Sequence, residues 1–219
     1  MNEMKFCQEM IERYPQLEVC GDAVKMAVNE LLTCFYGGGR LLVCGNGGSA
    51  ADSAHIVGEL AKGFLSKRPL LAETRYRLSR LDEEYGTDMG AKLADKLQQG
   101  LPAHDLCENL SLNTAAANDL DGDMIYAQGV MAYGRAGDVL LAISTSGNAL
   151  NTAYAVMAAK AQGMTTIGLT GAKGGKLAEL CDLCIKVPET ETFKVQELHL
   201  PVYHAICAEI EADYFDDKL

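Results

Sequence analysis

The chain has 219 residues, 48% of them hydrophobic and 22% charged, and a formal net charge of −11. This composition is that of one ordinary globular domain and excludes an intrinsically disordered chain. The acidic surplus argues against nucleic-acid binding, which needs a basic surface, whereas a small anion needs only a local site. No apolar run reaches 18 residues and no export signal is visible, so we expect a cytoplasmic protein with reduced cysteines and no membrane contact.

Helix and strand patterns alternate along the first part of the chain. Residues 3–35 predict one or two amphipathic helices, residues 40–44 a short buried strand and residues 49–65 a helix. Residues 66–105 break this alternation, since they carry several arginines and then a run of acidic residues. We interpret them as an insertion in a single domain, either a solvated helical excursion or a lid over the site.

The alternation resumes after the insertion. Three apolar runs predict strands and each precedes a helical pattern, with strands at 139–143, 165–170 and 183–187 and helices at 149–162, 176–180 and 193–215. Apolar strands separated by helices are typical of a parallel sheet covered on both faces. We therefore predict an α/β fold, a three-layer α/β/α sandwich with a central parallel sheet. An N-terminal helical arm over residues 1–36 and the helical insertion at about 66–105 complete the single domain.

Two strand-to-helix loops have the chemistry of an anion site. Helix N-termini at the carboxyl edge of a parallel sheet offer unpaired N–H groups and a positive dipole. The first loop also fits the dinucleotide pattern Gly-x-Gly-x-x-Ala, but no second strand ends on an acidic residue about 20 positions later, so we expect no nucleotide cofactor. Serine capping of the two helices is the alternative. The candidate phosphate ligands are Asn46, Gly47, Gly48, Ser49, Ser144, Thr145, Ser146, Gly147 and Asn148.

These loops carry a family resemblance. Residues 45–49, 137–148, 169–171 and 174–175 resemble the SIS (sugar isomerase) domain and, more narrowly, the bacterial phosphoheptose isomerases that act on sedoheptulose 7-phosphate. The resemblance covers nearly the whole chain except about residues 66–105. It implies that the Ser-Thr-Ser-Gly loop binds the sugar phosphate, and that the reaction converts sedoheptulose 7-phosphate to D-glycero-D-manno-heptose 7-phosphate through an enediol.

The resemblance also implies functional roles for four side chains on two helices. His55 and Glu59 are four residues apart and share a helix face, while Gln196 and His204 lie on the last helix. By themselves, His55 and Glu59 would be an ordinary helix pair. The resemblance implies that Glu59 is the general base and His204 its acid partner. In some family members, all four residues are associated with one zinc ion per site.

Other positions follow the family pattern only in part. Asn118 and Asp119 match an Asn-Asp pair that lines the site, and Gln196 is also expected to contact substrate. A family arginine falls at Gly63 and a family aspartate at Phe193. The serine that usually follows Asn148 is alanine here. These departures remove polar contacts and bear on which sugar phosphate is bound.

The spacing on the last helix predicts an oligomer. Gln196 and His204 would lie about 12 Å apart along a straight helix, too far to serve one metal. Either Gln196 precedes the helix, or it comes from a neighbouring subunit. The resemblance implies tetramers with sites at subunit interfaces, so we expect a homo-oligomer, tetramer or dimer, with shared sites.

Two other functions stay open at this point. One is isomerisation of a different sugar phosphate. The other is a non-catalytic SIS-domain regulator that binds a sugar phosphate or a protein. Such relatives keep the phosphate loop but commonly lose the glutamate and the last histidine, so Glu59 and His204 favour an enzyme.

Overall fold

The computed structural model describes residues 4–216, which form a five-stranded parallel sheet with helices on both faces. The strand order is β2-β1-β3-β4-β5, with β1 Leu41–Gly45, β2 Ala103–Asp105, β3 Val139–Ser144, β4 Thr165–Thr170 and β5 Leu183–Lys186. All four predicted strands are present and parallel, which confirms the predicted α/β sandwich. The first residue of the predicted helical region, residue 3, lies outside the described range.

Ten α-helices connect and flank these strands in the described part of the chain. They are α1 Lys5–Arg13, α2 Gly21–Tyr36, α3 Gly48–Ala61, α4 Ala72–Tyr85, α5 Met89–Lys96, α6 Leu110–Asp119, α7 Ile125–Tyr133, α8 Leu150–Ala161, α9 Gly175–Leu180 and α10 Thr192–Asp216. None of them is long and apolar enough to cross a bilayer. The predicted N-terminal helical region contains α1 and α2, and both helices pack against α10.

Alternating strand residues supply the two layers of the core. Leu41 and Val43 of β1 enter the layer of α1, α2, α3 and α10, whereas Leu42 and Cys44 enter the layer of α7, α8 and α9. The same alternation runs along β3. Both faces are therefore buried, and the carboxyl edge is the part of the sheet left for a ligand.

The insertion contains an unpredicted strand and an exposed helical hairpin. Its last residues form β2, which extends the sheet by pairing Leu41 with Ala103. Its helices α4 and α5 pack against each other, and α4 has no buried residue, in agreement with a solvated excursion. At the base of the hairpin, the Gln99 amide donates to the Arg68 carbonyl at 2.7 Å.

A buried ion pair anchors the base of this hairpin. The Arg68 side chain is fully buried, and its Nε donates to Glu211 of α10 at 2.7 Å. Its Nη1 also donates to the Leu60 carbonyl in the last turn of α3. Burial would raise the pKa of Glu211, but the Phe64 and Leu65 amides and the guanidinium outweigh it and lower that pKa. This carboxylate therefore joins α10 to the end of α3.

Removing the guanidinium should destabilise the protein strongly. Arg68→Met leaves the Glu211 carboxylate buried without its cation, which typically costs about 3 to 5 kcal/mol of unfolding free energy. Urea denaturation at one fixed protein concentration measures this. Arg77→Met is the matched control, because Arg77 pairs with Glu73 on the exposed face of α4 and should change little. Equal losses in the two variants would contradict this account.

Candidate active site

The two predicted phosphate loops lie side by side at the carboxyl edge of the sheet. Strands β1 and β3 are neighbours, with Gly45 opposite Ile143, so the loops that follow them emerge together. The side chain of Asn46 in the first loop and that of Asn151 in the first turn of α8 form two hydrogen bonds of 2.8 Å with each other. The Tyr126 hydroxyl supports the first loop by donating to the Gly45 carbonyl. The structure thus brings residues 46–49 and 144–148 into one surface.

Serine capping does not account for these loops. Helix α3 begins after Gly47 and α8 after Ala149, and neither N-terminus receives a side-chain cap. The Ser146 hydroxyl instead accepts from the Asn148 amide at 3.2 Å within the loop. Two helix N-termini without a side-chain cap from the N-cap residue, beside the exposed Ser146 hydroxyl, are the arrangement expected for an anion. Phosphate binding at this surface nevertheless stays a prediction.

Gly147 is required by the shape of the second loop. Its φ of +68° lies in the left-handed region, and a Cβ at this position would collide with the Gly174 carbonyl. The Leu177 amide donates to the Gly147 carbonyl at 3.0 Å, which ties the loop to α9. The close approach of Gly147 to Gly174 therefore brings the backbones of two loops together.

The predicted acid–base residues form a second cluster. His55 Nε2 lies 3.2 Å from Glu59 Oε1 and 3.5 Å from His204 Nε2. Lys62 donates to the other oxygen of Glu59 at 3.1 Å. The ring of Phe64 lies 5.4 Å from that of His204. One chain therefore supplies Glu59 and His204 together, by packing the last two turns of α3 against the middle of α10.

The electrostatics of this cluster keep His204 neutral. Burial lowers the pKa of His204, and the neighbouring His55 lowers it further, while Glu59 opposes the shift. A neutral imidazole carries one N–H donor and one acceptor nitrogen. His204 also lines a groove of about 420 Å³ between α1, α10 and residues 64–65. The cluster thus opens toward the outside of the chain.

The loops and the cluster are separated within one chain. Glu59 lies eleven residues after Gly48 on α3, which corresponds to about 16 Å along the helix axis. Gln196 stays with the loops, because its amide packs directly against Gly48. It also lies inside α10, which begins at Thr192, so it does not precede the helix. The structure therefore places Gln196 and His204 in different parts of the molecule.

The four predicted zinc ligands do not form one group. His55, Glu59 and His204 are neighbours, but Gln196 is about 12 Å from His204 along α10. Within residues 4–216, no group of three or more His, Cys, Asp or Glu side chains has the geometry to hold a metal ion. Two imidazoles and a carboxylate are suitable donors for zinc, but their arrangement in one chain is not a closed site.

Asn118 and Asp119 remain outside both clusters. They end α6, are exposed, and hydrogen-bond to each other at 2.7 Å. Among the described residues, neither side chain bonds to a predicted phosphate loop.

Two side chains that the sequence analysis missed, Asp52 and Tyr203, are within hydrogen-bond distance of each other beside His55. Asp52 is three residues before it, and Tyr203 precedes His204, so helical spacing could have indicated both.

Comparison with known proteins identifies the family. Over 206 residues the chain is 38% identical to the phosphoheptose isomerase of Rhodospirillum rubrum, with 94% of each chain covered. It is 35% identical to that of Aneurinibacillus thermoaerophilus, covering 89% of this chain and 83% of the relative. The chain belongs to the phosphoheptose isomerase family. These enzymes are aldose–ketose isomerases.

Two further comparisons agree with membership in the phosphoheptose isomerase family. A SIS domain family model matches residues 97–171, which include β2, β3 and the second loop. The structure of the phosphoheptose isomerase from Neisseria gonorrhoeae superposes with a TM-score of 0.72 at 33% identity, and 94% of each chain is covered. The expected SIS fold is thereby confirmed.

Replacing Gly147 should remove anion binding in this family member. Gly147→Ala forces the second loop open, because the new Cβ meets the Gly174 carbonyl. We expect inorganic phosphate to bind at least about tenfold more weakly, a loss of roughly 1.4 kcal/mol. The control is Gly38→Ala, which has a similar φ of +74° but free space around it. Calorimetric titration with phosphate measures both, and equal affinities would contradict the role of the loop.

Proposed function

We propose that the protein interconverts sedoheptulose 7-phosphate and D-glycero-D-manno-heptose 7-phosphate through an enediol. The observation that carries this proposal is the contact of Glu59 and His204 with the same imidazole, in a member of the phosphoheptose isomerase family. A sugar-phosphate sensor would need the loops but not an acid–base pair. Incubation with a panel of ketose phosphates, followed by NMR of the products, tests which sugar is isomerised.

In this proposal, two side chains share the chemistry. Glu59 removes the proton from the carbon beside the carbonyl and returns it to the adjacent carbon. Lys62 and His55 each approach one of its oxygens, which fixes the orientation of the carboxylate. The neutral His204 donates its N–H proton to the carbonyl oxygen as the enediol forms, and it takes the proton of the other enediol oxygen as the new carbonyl forms, a role that neutral imidazole can fill.

We further propose that two chains build each site. A heptose phosphate carries its phosphate at one end and reacts at the other, and its full length is shorter than the separation of about 16 Å along α3. The substrate therefore cannot contact the loops and Glu59 of a single chain. In this proposal, the loops and Gln196 of one subunit face the groove beside His204 of another, in a cytoplasmic homo-oligomer, tetramer or dimer.

Zinc remains a prediction at this cluster. His55, Glu59 and His204 would hold it, with Gln196 contributed by another chain, and it would polarise the carbonyl and hydroxyl oxygens. The steps assigned to Glu59 and His204 do not depend on it. Metal analysis of the purified protein, together with the His55→Ala variant, tests this prediction.

Replacing either acid–base residue should abolish turnover. Glu59→Gln keeps the size of the side chain and His204→Asn keeps a polar side chain, but each removes the proton transfer, which typically costs about 10² to 10⁴ in rate. Thermal unfolding and phosphate titration should remain close to wild type. Glu73→Gln on the exposed hairpin is the control for the charge change and should keep full activity. Normal turnover in Glu59→Gln would redirect the assignment to a sensor.

Mixing inactive chains should show which residues share a subunit. Glu59→Gln and the double variant Thr145→Val/Ser146→Ala lose different halves of the site. Refolded together in equal amounts, they should recover activity at roughly a quarter of the sites if the halves pair at random. Glu59→Gln mixed with His204→Asn should recover nothing, because each active cluster needs both residues from one chain. Recovery in this second mixture, or none in the first, would contradict the shared site.

A further inference from the structure

The hairpin of α4 and α5 carries much of the exposed apolar surface. Among the described residues, 18 large apolar side chains are exposed, and eight of these lie between residues 65 and 97. They are Leu65, Leu71, Tyr76, Leu81, Tyr85, Met89, Leu93 and Leu97, with exposed fractions of 42% to 68%. Met89, Leu93 and Leu97 follow one another at intervals of four residues, so they form one stripe along α5. Such a concentration on one element indicates an interaction surface.

The base of the hairpin adjoins the groove beside His204. Phe64 and Leu65, which lead into the hairpin, line that groove together with His204. Helix α4 has 14 residues, none of them buried, and is therefore about 21 Å long. The hairpin thus starts at the rim of the groove and is long enough to contact a second chain docked there.

The part of the hairpin nearest its base is basic. Residues 67–80 contain five basic side chains and one acidic side chain, in a protein whose net charge is −11. Three of the five pair with acids of the same chain. The other two, Lys67 and Arg75, are exposed and form no salt bridge within the described residues. These two cations are therefore available to an acidic partner.

Four carboxylates that form no salt bridge among the described residues lie near the predicted phosphate loops. They are Glu108, Asp119, Asp121 and Asp123. Cys107 and Tyr126 both donate to the Gly45 carbonyl, which places the segments on either side of α6 next to the first loop. Carboxylates beside a site for an anion weaken anion binding unless a positive charge compensates them. A basic surface supplied by another molecule would provide this compensation.

We propose that the α4–α5 hairpin is a docking surface for a second copy of this chain, and that Lys67 and Arg75 meet the four carboxylates beside that copy's phosphate loops. The two surfaces have opposite charge. Residues 66–100 contain seven basic and six acidic side chains, so the acidic surplus of the protein lies entirely outside the hairpin. The inference rests on the proposed shared site, which brings the loops of one subunit to the groove of another, but not on the identity of the sugar.

Shortening the hairpin removes this surface without disturbing the core. The backbones of Pro69 and Gln98 are paired, and the Gln99 amide donates to the Arg68 carbonyl. A short glycine–serine turn can therefore replace residues 71–96 and leave the base closed. Thermal unfolding checks that the shortened chain folds, and sedimentation velocity over a range of concentrations measures its association. We expect association at least about tenfold weaker than in wild type.

A charge swap identifies the surface that the hairpin meets. Lys67→Glu/Arg75→Glu places acids against acids and should weaken association by about the same factor. Adding Glu108→Lys/Asp123→Lys to the same chain restores opposite charges and should recover most of it. Arg135→Glu is the control for a charge reversal, because this exposed arginine precedes β3 at the opposite edge of the sheet. It should associate as wild type does.

The outcomes separate this inference from the proposed function, because the sedimentation assay contains no sugar. A wild type that stays monomeric would overturn both the docking surface and the shared site. Unchanged association of the shortened chain would overturn the docking surface alone, and binding of wild type but not of the shortened chain to phosphatidylglycerol vesicles would then assign the hairpin to a membrane. Failure of the charge swap to restore association would overturn the contact with the four carboxylates. Absence of isomerase turnover in an associating wild type would remove the proposed function and leave the docking surface in place.

Discussion

The length of one helix governs the arrangement of the whole site. Helix α3 starts at the first phosphate loop and carries His55 and Glu59 in its last two turns. Because an α-helix rises a fixed distance per residue, the loop and the base cannot approach each other in one chain. Helix α10 repeats this constraint, with Gln196 beside the loop and His204 beside the base. These two helices keep the two parts of the predicted site apart, which is the basis of our proposal that a second chain completes it.

The hairpin in the insertion is attached close to the parts of α3 and α10 that carry Glu59 and His204. Arg68 and Glu211 fasten its base to the last turn of α3 and to α10, a few residues from Glu59 and His204. The rest of the hairpin adds almost nothing to the core. The hairpin helices α4 and α5 therefore stay away from the sheet, and the base of the hairpin contacts α3 and α10, which position the acid–base cluster.

Much of the fold was predictable because it follows from local pattern. The runs at 41–44 and 139–143 are apolar in every position, which happens when both faces of a strand are covered. The strand at Ala103–Asp105 was missed because three residues give no periodicity to detect. The exposed hairpin was recognised as helical surface, but its two helices and their mutual packing were not predicted.

The site was predictable only in part, for a geometric reason. Hydroxyls and glycines after a strand indicate an anion loop by themselves, and the helical spacing of His55 and Glu59 is visible in the sequence. That His204 meets this pair, while Gln196 does not, depends on how α10 crosses α3. Tyr203 was overlooked because a buried tyrosine on an apolar helix face resembles ordinary core. Its hydroxyl gains significance only from the two polar atoms that packing brings to it.

The packing of α10 against the first helix has a consequence for biosynthesis. The Cys7 amide donates to Glu209 at 2.9 Å, a contact across 202 positions of the chain. During translation, the apolar faces of α1, α2 and the β1–α3 unit stay uncovered until α10 has been synthesised. His204 lies on α10, so the acid–base cluster cannot assemble before α10 has been translated. A nascent chain stalled before α10 would expose this face and be a natural substrate for chaperones.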